Sequence, residues 1–360
     1  MPSSTENTNV MKQNEHYNLN STPQLTAVQK SLPFIQKAVK EYQTTSSSTT
    51  PSPFTIVDYG CSQGGNSLIA IQEILSALRQ KYDGGGDGSF PDDFLIVFND
   101  LPTNDWNTLI KTVVKESLPN RRCFTLASGR SFYEQILPLN TVDFGYTSTA
   151  IHWLSKKPCN LSNQCFSCSV TDNKPEEFQL WKEQACEDYR LFLQQRSKEL
   201  KKGAILLCSG LARDDDNGRC HAFIYENLYQ SAAIVLDKDE LLNFNIVDYH
   251  RTLDELTNPE TLKETNFELI LAEIVKLEQP LFVGYKQGIL NVDELANKFT
   301  EFIRSWSESS LKNALRSDDR VTIIDQVYNE VERRMKTHES LKEVEENINR
   351  TYSYVILRKM

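Results

Sequence analysis

Two acidic side chains stand at the ends of two apolar runs. Phe54-Thr-Ile-Val-Asp58 is short and β-rich, and it leads into Gly60-Cys-Ser-Gln-Gly-Gly65. Phe94-Leu-Ile-Val-Phe98 is a second such run, closed by Asn99 and Asp100. Glycines after a strand let the backbone approach a ligand closely, and a carboxylate at a strand end can accept both hydroxyls of an adenosine ribose. In open α/β sheets, ligands lie outside the carboxyl ends of the strands. Each acid by itself is also explained by a tight turn or a solvated cap. The two in chain order favour a nucleoside-containing cofactor. The loop reads G-x-x-x-G-G, not the G-x-G-x-x-G of dinucleotide folds. Asp100 follows Asp58 at about twice the ~20-residue interval of nicotinamide enzymes, which disfavours an oxidoreductase of that class.

The elements that must position these acids are legible in the periodicity. Leu25, Val28, Leu32, Ile35, Val39 and Tyr42 recur at helical steps over 24–42. A low-complexity linker follows at 44–53, and a helix is expected over 67–78 after the first glycine loop. The run DGGGDGS at 83–89 is a turn or flexible loop. Further strands are expected at 123–126, 142–146 and 204–208, with a long helix over 176–200. Strands alternating with helices argue for a parallel sheet covered on both faces. Beyond Arg213 helical patterns dominate (221–236, 239–244, 292–307, 323–338), interrupted by a strand at 267–274 and closed by one at 352–357. The run at 341–350 reads as a solvated helical face.

At 360 residues the chain exceeds the size at which one core stops growing, so a second layer is expected. A net charge of −10 disfavours binding to phosphate backbones, so no nucleic-acid partner is expected. No run approaches the ~18 apolar residues of a membrane helix, and the polar N-terminus does not read as a secretory signal. A cytoplasmic protein with no membrane partner is expected. Eight cysteines fit reduced thiols, with Cys123 and Cys208 inside apolar runs that read as buried. Cys159, Cys165 and Cys168 form C-x5-C-x2-C, for which Cys186 or His152 would have to supply a fourth zinc ligand. Free thiols on a loop are the preferred reading, and no metal is expected.

Ordered blocks of this sequence resemble the SABATH family of plant-type small-molecule methyltransferases. Tyr17-x-x-Asn20-Ser21-x-x-Gln24 is similar to its Y-x-x-N-S-x-x-Q signature, and VDYGCSQGGNS (57–67) to its A-D-L-G-C-S-S-G-x-N-T loop. NDLPTNDWN (99–107) is close to N-D-L-P-x-N-D-F-N. Ser131-Phe-Tyr133 with Leu137-Pro138 matches S-F-Y-x-R-L-F-P, and TSTAIHWLS (147–155) matches S-S-Y-S-L-H-W-L-S. FNIVDYHRTLDEL (244–256) resembles F-N-x-P-x-Y-x-P-S-x-E-E-V.

The resemblance implies an α/β fold: a Rossmann-like class I methyltransferase sheet, mostly parallel with the last strand antiparallel, under an α-helical cap. It implies an N-terminal segment over the active site (1–23), a cofactor-binding core (24–213), a mainly helical cap (214–345) with an interleaved core strand (about 267–277), and a C-terminal strand (346–360). The implied cofactor is S-adenosylmethionine, held by Asp58 and Asp100 with Gly60, Cys61 and Asn66. Leu101, Ser131 and Phe132 fall on its adenine side, and Tyr17 and Ser21 near the methionine end. Gln24 and Trp153 would bind a substrate carboxylate, with His152, Thr149 and Tyr225 around the acceptor. His152 reads either as a pocket hydrogen bond or as a histidine at a helix start.

Gln24 and Trp153 are neutral donors that orient a carboxylate without blunting its nucleophilicity. A carboxylate with a pKa near ~4 needs no general base. No catalytic acid or base is expected, and catalysis reduces to alignment and exclusion of water. The expected reaction is methyl-ester formation on a small-molecule acid, giving S-adenosylhomocysteine. The alternative is N-methylation of a purine-like acceptor. A homodimer is implied by the resemblance only. Thr149 stands where the family often has Tyr, Tyr146 where it often has His, and Tyr225 near a substrate-stacking Trp. These departures, with the linker and the glycine-rich insert, mark a divergent member.

Overall fold

The computed structural model describes residues 10–43, 52–83, 91–116, 118, 122–169, 175–214, 222–316, 318–346 and 349–360. Most of the expected linker and of the glycine-rich insert lies outside them.

Seven strands form one sheet: β1 (Phe54–Tyr59), β2 (Phe94–Asp100), β3 (Cys123–Gly129), β4 (Val142–Ser148), β5 (Leu200–Leu211), β6 (Phe267–Glu278) and β7 (Asn349–Lys359). Their order is β3-β2-β1-β4-β5-β7-β6. β1 to β5 pair in parallel, and β7 runs antiparallel to both β5 and β6. This is the Rossmann-like α/β sheet expected, with its last strand antiparallel.

Parallel neighbours need long crossovers, and helices supply them. The first helices are α1 (His16–Asn20), α2 (Thr22–Glu41), α3 (Gly65–Asp83), α4 (Trp106–Lys115) and α5 (Pro175–Glu199). β1 is buried at every residue because helices cover both its faces. Tyr354 on β7 stacks on Phe34 of α2 at 4.4 Å between ring centroids, which joins the C-terminal strand to the first long helix.

Cys123 departs from its expected burial. β3 is the edge of the sheet, so Cys123 is only half-buried and Phe124 and Leu126 are exposed, whereas Cys208 on central β5 is buried. The run at 341–350 departs too. Val344 is buried, and Asn349 and Arg350 belong to β7, with Arg350 buried.

The helices α6 (Ala222–Val235), α7 (Lys238–Asn243), α8 (Leu253–Leu256), α9 (Pro259–Glu264), α10 (Pro280–Lys286), α11 (Val292–Ala314), α12 (Arg320–Met335) and α13 (His338–Glu346) follow β5. Leu228, Phe282, Phe299, Phe302, Val327 and Val331 merge the apolar stripes of α6, α10, α11 and α12 into a second core, apart from the one that covers the sheet.

Under the sheet, α5 ends in a fully buried ion pair, with Arg196 Nη2 at 3.0 Å from Glu199 Oε1. The Arg196 guanidinium also donates to the carbonyls of Phe132 and Glu134, and Glu199 accepts from the Tyr59 hydroxyl and the Ile136 and Leu137 amides. The pair therefore ties the turn after β3 to the back of β1. Removing one charge strands the other in the core, at about 3–5 kcal/mol. Arg196→Met is expected to lower the unfolding free energy by about that amount in a denaturant titration, and adding Glu199→Gln to recover part of the loss. An unchanged midpoint in the single variant would refute this role.

Candidate active site

The site begins at the carboxyl end of β1. Gly60 (φ 91°) and Gly64 (φ 83°) adopt left-handed backbone, and Ser62 (φ 48°) does so without being glycine. A Cβ on Gly60 would lie 2.3 Å from that of Ala150, so the loop passes under the β4 segment only as glycine. The Gly60 and Cys61 amides donate to the Asn99 carbonyl at 2.9 and 3.0 Å, fastening this loop to β2. The Ser62 amide donates to Asp100 Oδ2 at 2.7 Å, and the Leu101 amide to Oδ1 at 2.8 Å.

Asp58 and Asp100 thus stand at the ends of paired strands, Asp58 opposite Phe98 and two residues short of Asp100. Burial pushes the Asp58 carboxyl up to about 7; the Ser67 hydroxyl opposes the shift and the Asp100 charge adds to it. Burial also raises Asp100, against the Ser62 and Leu101 amides.

Three hollows share Tyr17 and Thr149 in their walls, and two of them border this loop. A cavity of about 740 Å³ is lined by Tyr17, Gly60, Ser62, Asp100, Leu101, Ser131, Phe132, Thr149 and Trp153 among others. That volume suits a drug-sized ligand. A narrow cleft of about 20 Å³ carries Asp58, Cys61 and Asn66, with Tyr17 and Gly60 again in its wall. A chamber of about 30 Å³ is lined by Gln24, Thr149, His152, Trp153 and Tyr225, together with Tyr17.

The residues expected on the acceptor side therefore meet in one chamber. Those expected on the cofactor side meet in the other two hollows, with Ser21 as the exception. Ser21 is buried, and its hydroxyl accepts from Asn66 Nδ2 at 3.2 Å, so it steadies a lining residue and is not itself in the wall of these three hollows. Tyr17 and Thr149 border all three spaces. Thr149 has a φ of 49°, a strained value for a β-branched residue, at the point where β4 turns over the glycine loop.

The acceptor-side wall comes from two segments zipped together. Trp153 faces Asp248 across a β-bridge, the Leu154 amide donates to the Val247 carbonyl at 2.9 Å, and the Tyr249 amide to the His152 carbonyl at 2.9 Å. Arg251 reaches the Ile151 and Ala185 carbonyls, and the Tyr133 hydroxyl donates to the Trp153 carbonyl at 2.7 Å. His152 lies in a turn, not at a helix start. It is buried, its Nδ1 has no hydrogen-bond partner, and burial with nearby Arg251 and Arg350 pushes its ring down to about 3. The imidazole is therefore neutral at physiological pH. Tyr225 stacks on Phe166 at 3.8 Å, which occupies one ring face, and its hydroxyl donates to Asp248 Oδ2 at 2.8 Å.

Sequence reasoning missed Met11, Asp248, Trp306, Arg350 and Tyr352 in the chamber and Ser62 in the other two hollows. Ser62 and Asp248 fall inside the quoted family-like blocks and could have been found there. Trp306, Arg350 and Tyr352 carry no local signal. Among the described residues, no group of three or more His, Cys, Asp or Glu is arranged to hold a metal. Cys165 is a free thiol on a loop, as expected, and it is fully buried, donating to the Tyr225 carbonyl.

The family model for S-adenosylmethionine-dependent carboxyl methyltransferases matches residues 7–360. The chain belongs to this family. Among curated relatives, a probable S-adenosylmethionine-dependent methyltransferase of Arabidopsis thaliana is 32% identical over 53% of this chain and 55% of its own length. Indole-3-acetate O-methyltransferase 1 of Arabidopsis thaliana is 29% identical over 58% of this chain and 60% of that enzyme. The chain thus spans a little over half the length of these two relatives. A solved loganic acid methyltransferase with S-adenosylhomocysteine shares the fold at a TM-score of 0.80, with 22% identity and 98% of both chains covered.

The residues of this chain fit the family's cofactor. Each oxygen of Asp100 accepts one amide and keeps a further lone pair, and Ser62 Oγ and Asn99 Oδ1 are buried without partners beside it. Asp58 is expected to couple pH to this binding. The folded state holds its proton up to about pH 7, the unfolded chain only to about pH 4. Stability of the ligand-free protein therefore falls as the pH rises through that window. Binding runs the other way, because only the ionised carboxylate accepts every donor. Calorimetric titration with S-adenosylhomocysteine is expected to show several-fold tighter binding at about pH 8 than at about pH 6, and Asp58→Asn to flatten the difference. A pH-independent Kd in the wild type would contradict it.

Proposed function

We propose that this enzyme methylates the carboxylate of a small-molecule acid, forming a methyl ester and S-adenosylhomocysteine. One observation carries the reading: Tyr17 and Thr149 stand where the larger cavity, which fits the cofactor, meets the chamber lined by Gln24 and Trp153. When bound, S-adenosylmethionine supplies a methyl group already activated on a sulfonium. The chain's own task is alignment. The Gln24 amide and the Trp153 indole N–H offer neutral donors to a carboxylate, and the zipped segments at 152–154 and 247–249 hold Trp153 still. Phe302, Trp306 and Tyr352 keep the chamber largely apolar, so the acceptor sheds water on entry. The neutral His152 withholds a counter-charge that would weaken the nucleophile.

A homodimer rests on the family resemblance alone; a cytoplasmic location with neither membrane nor nucleic-acid partners is the accompanying proposal. It is supported by the net charge of −10, by the absence among the described residues of a helix long and apolar enough to cross a membrane, and by free cysteines. Light scattering tests the dimer.

Labelled methyl transfer onto aromatic, indolic and terpenoid acids, with xanthines alongside, tests the reaction. Esters from at least one acid are expected. Methylation of a xanthine and of no acid would overturn the reading in favour of N-methylation. In Gln24→Ala, turnover of the best acid is expected to drop about tenfold or more, while the thermal stabilisation by S-adenosylhomocysteine stays as in the wild type. Undiminished turnover would remove Gln24 from the clamp.

A further inference from the structure

The acceptor chamber holds more polar capacity than the clamping of one carboxylate uses. Besides Gln24 and Trp153 it is lined by Asp248, 1% exposed, and His152, 5% exposed. Asp248 Oδ1 and His152 Nδ1 are both buried without a hydrogen-bond partner. The other Asp248 oxygen accepts from the Tyr225 hydroxyl at 2.8 Å and lies 3.7 Å from His250 Nε2. Tyr225 and His250 thus fix the carboxyl from one side, and its second oxygen is left without a partner on a residue that lines the chamber. Buried polar atoms are costly unless something partners them. An acceptor held at Gln24 and Trp153 would bring its far end towards Asp248 and His152, which line the same chamber.

The charges around Asp248 limit what that partner can be. Arg350, also buried, lines the same chamber. A protonated amine on the acceptor would face the Arg350 guanidinium. A second carboxylate would face Asp248 as a like charge whenever that carboxyl is ionised. An alkyl or plain aromatic end would leave Asp248 Oδ1 and His152 Nδ1 bare. A neutral hydroxyl avoids all three conflicts. It donates to an ionised Asp248 or to the neutral His152, and it accepts from Asp248 when that carboxyl is protonated.

We propose that Asp248, with His152 in the same chamber, determines acceptor specificity, and that the preferred substrate is a hydroxylated acid whose hydroxyl docks on Asp248 while its carboxylate sits at Gln24 and Trp153. This rests on the carboxyl-methylation reading above and adds to it the chemistry of the acceptor's other end. A site built to hydrogen-bond a hydroxyl discriminates strongly against the analogue that lacks it, because its own polar atoms are then left unpaired. The contrast therefore separates this proposal from a merely roomy pocket.

Matched acids test it on the full chain with S-adenosylmethionine: para-hydroxybenzoate against benzoate, para-hydroxyphenylacetate against phenylacetate, and omega-hydroxyhexanoate against hexanoate. The wild type is expected to favour the hydroxylated member of at least one pair by about tenfold or more in kcat/KM, chiefly through KM. Asp248→Leu is expected to bring that ratio close to one while S-adenosylhomocysteine still stabilises the protein. Asp248→Asn, which can still pair with both Tyr225 and a hydroxyl, is expected to keep most of the preference. Wild-type ratios below about threefold in every pair would overturn the proposal whether or not the leucine variant folds. So would an undiminished preference in a folded Asp248→Leu. Esters from the parent acids with no hydroxyl preference would leave the carboxyl-methylation reading standing, whereas no ester from any acid would overturn both.

Discussion

The hold of the β1 loop on the end of β2 is the constraint on which the site depends. Two amides of the loop donate to the Asn99 carbonyl, and a third donates to the Asp100 carboxylate. These contacts exist because β1 and β2 pair in parallel register, with Tyr59 opposite Asn99. They set Asp58 and Asp100 at the ends of paired strands, and they demand a backbone that Gly60 and Gly64 adopt without strain. The position of Gly60 under Ala150 then fixes how closely β4 and its turn can approach. The cofactor-side acids and the turn after β4 are therefore set by one loop.

The acceptor side is assembled differently. Its residues come from segments far apart in the chain, joined by backbone hydrogen bonds between 152–154 and 247–249 and braced by Arg251. Residues 12–18 brace it from another direction. The Lys12 amide donates to the Ser305 carbonyl, Lys12 pairs with Glu308 at 3.0 Å, and His16 meets Glu301 at 2.6 Å, all on α11. Gln63 of the glycine loop donates to the Lys12 carbonyl at 2.9 Å. Residues 12–18 thus strap the helical layer to the cofactor loop and carry Tyr17 to the junction of the hollows.

Burial gives the site its electrostatic character. It raises both aspartates and lowers His152, so the ligand-free pocket carries less charge than its composition suggests. A largely apolar chamber suits a displacement in which neither an acid nor a base is needed. It also makes each unpartnered polar atom a strong determinant of what can enter.

Much of this was legible in the sequence because it is local. Apolar runs ending in Asp58 and Asp100, a glycine loop between strand and helix, and helical steps over 24–42 follow from backbone sterics and period, and the structure extends these elements by only a few residues. The ordered blocks from Tyr17 to Trp153 pointed to S-adenosylmethionine, because residues that touch one ligand recur at fixed places in a fold. Tertiary structure decided what depends on position in the sheet and on contacts across long sequence separations. Cys123 was read as buried, but an edge strand lacks a neighbour to cover it. Ser21 was read as a lining residue, but it holds Asn66. The run at 341–350 was read as a solvated helix, but its end belongs to the sheet and puts Arg350 into the acceptor chamber. Asp248 lay in view within FNIVDYH, yet its place opposite Trp153 is set by a pairing between segments almost a hundred residues apart. No local pattern encodes that pairing, because it is selected by what each segment can bury only once the sheet and helices have come together.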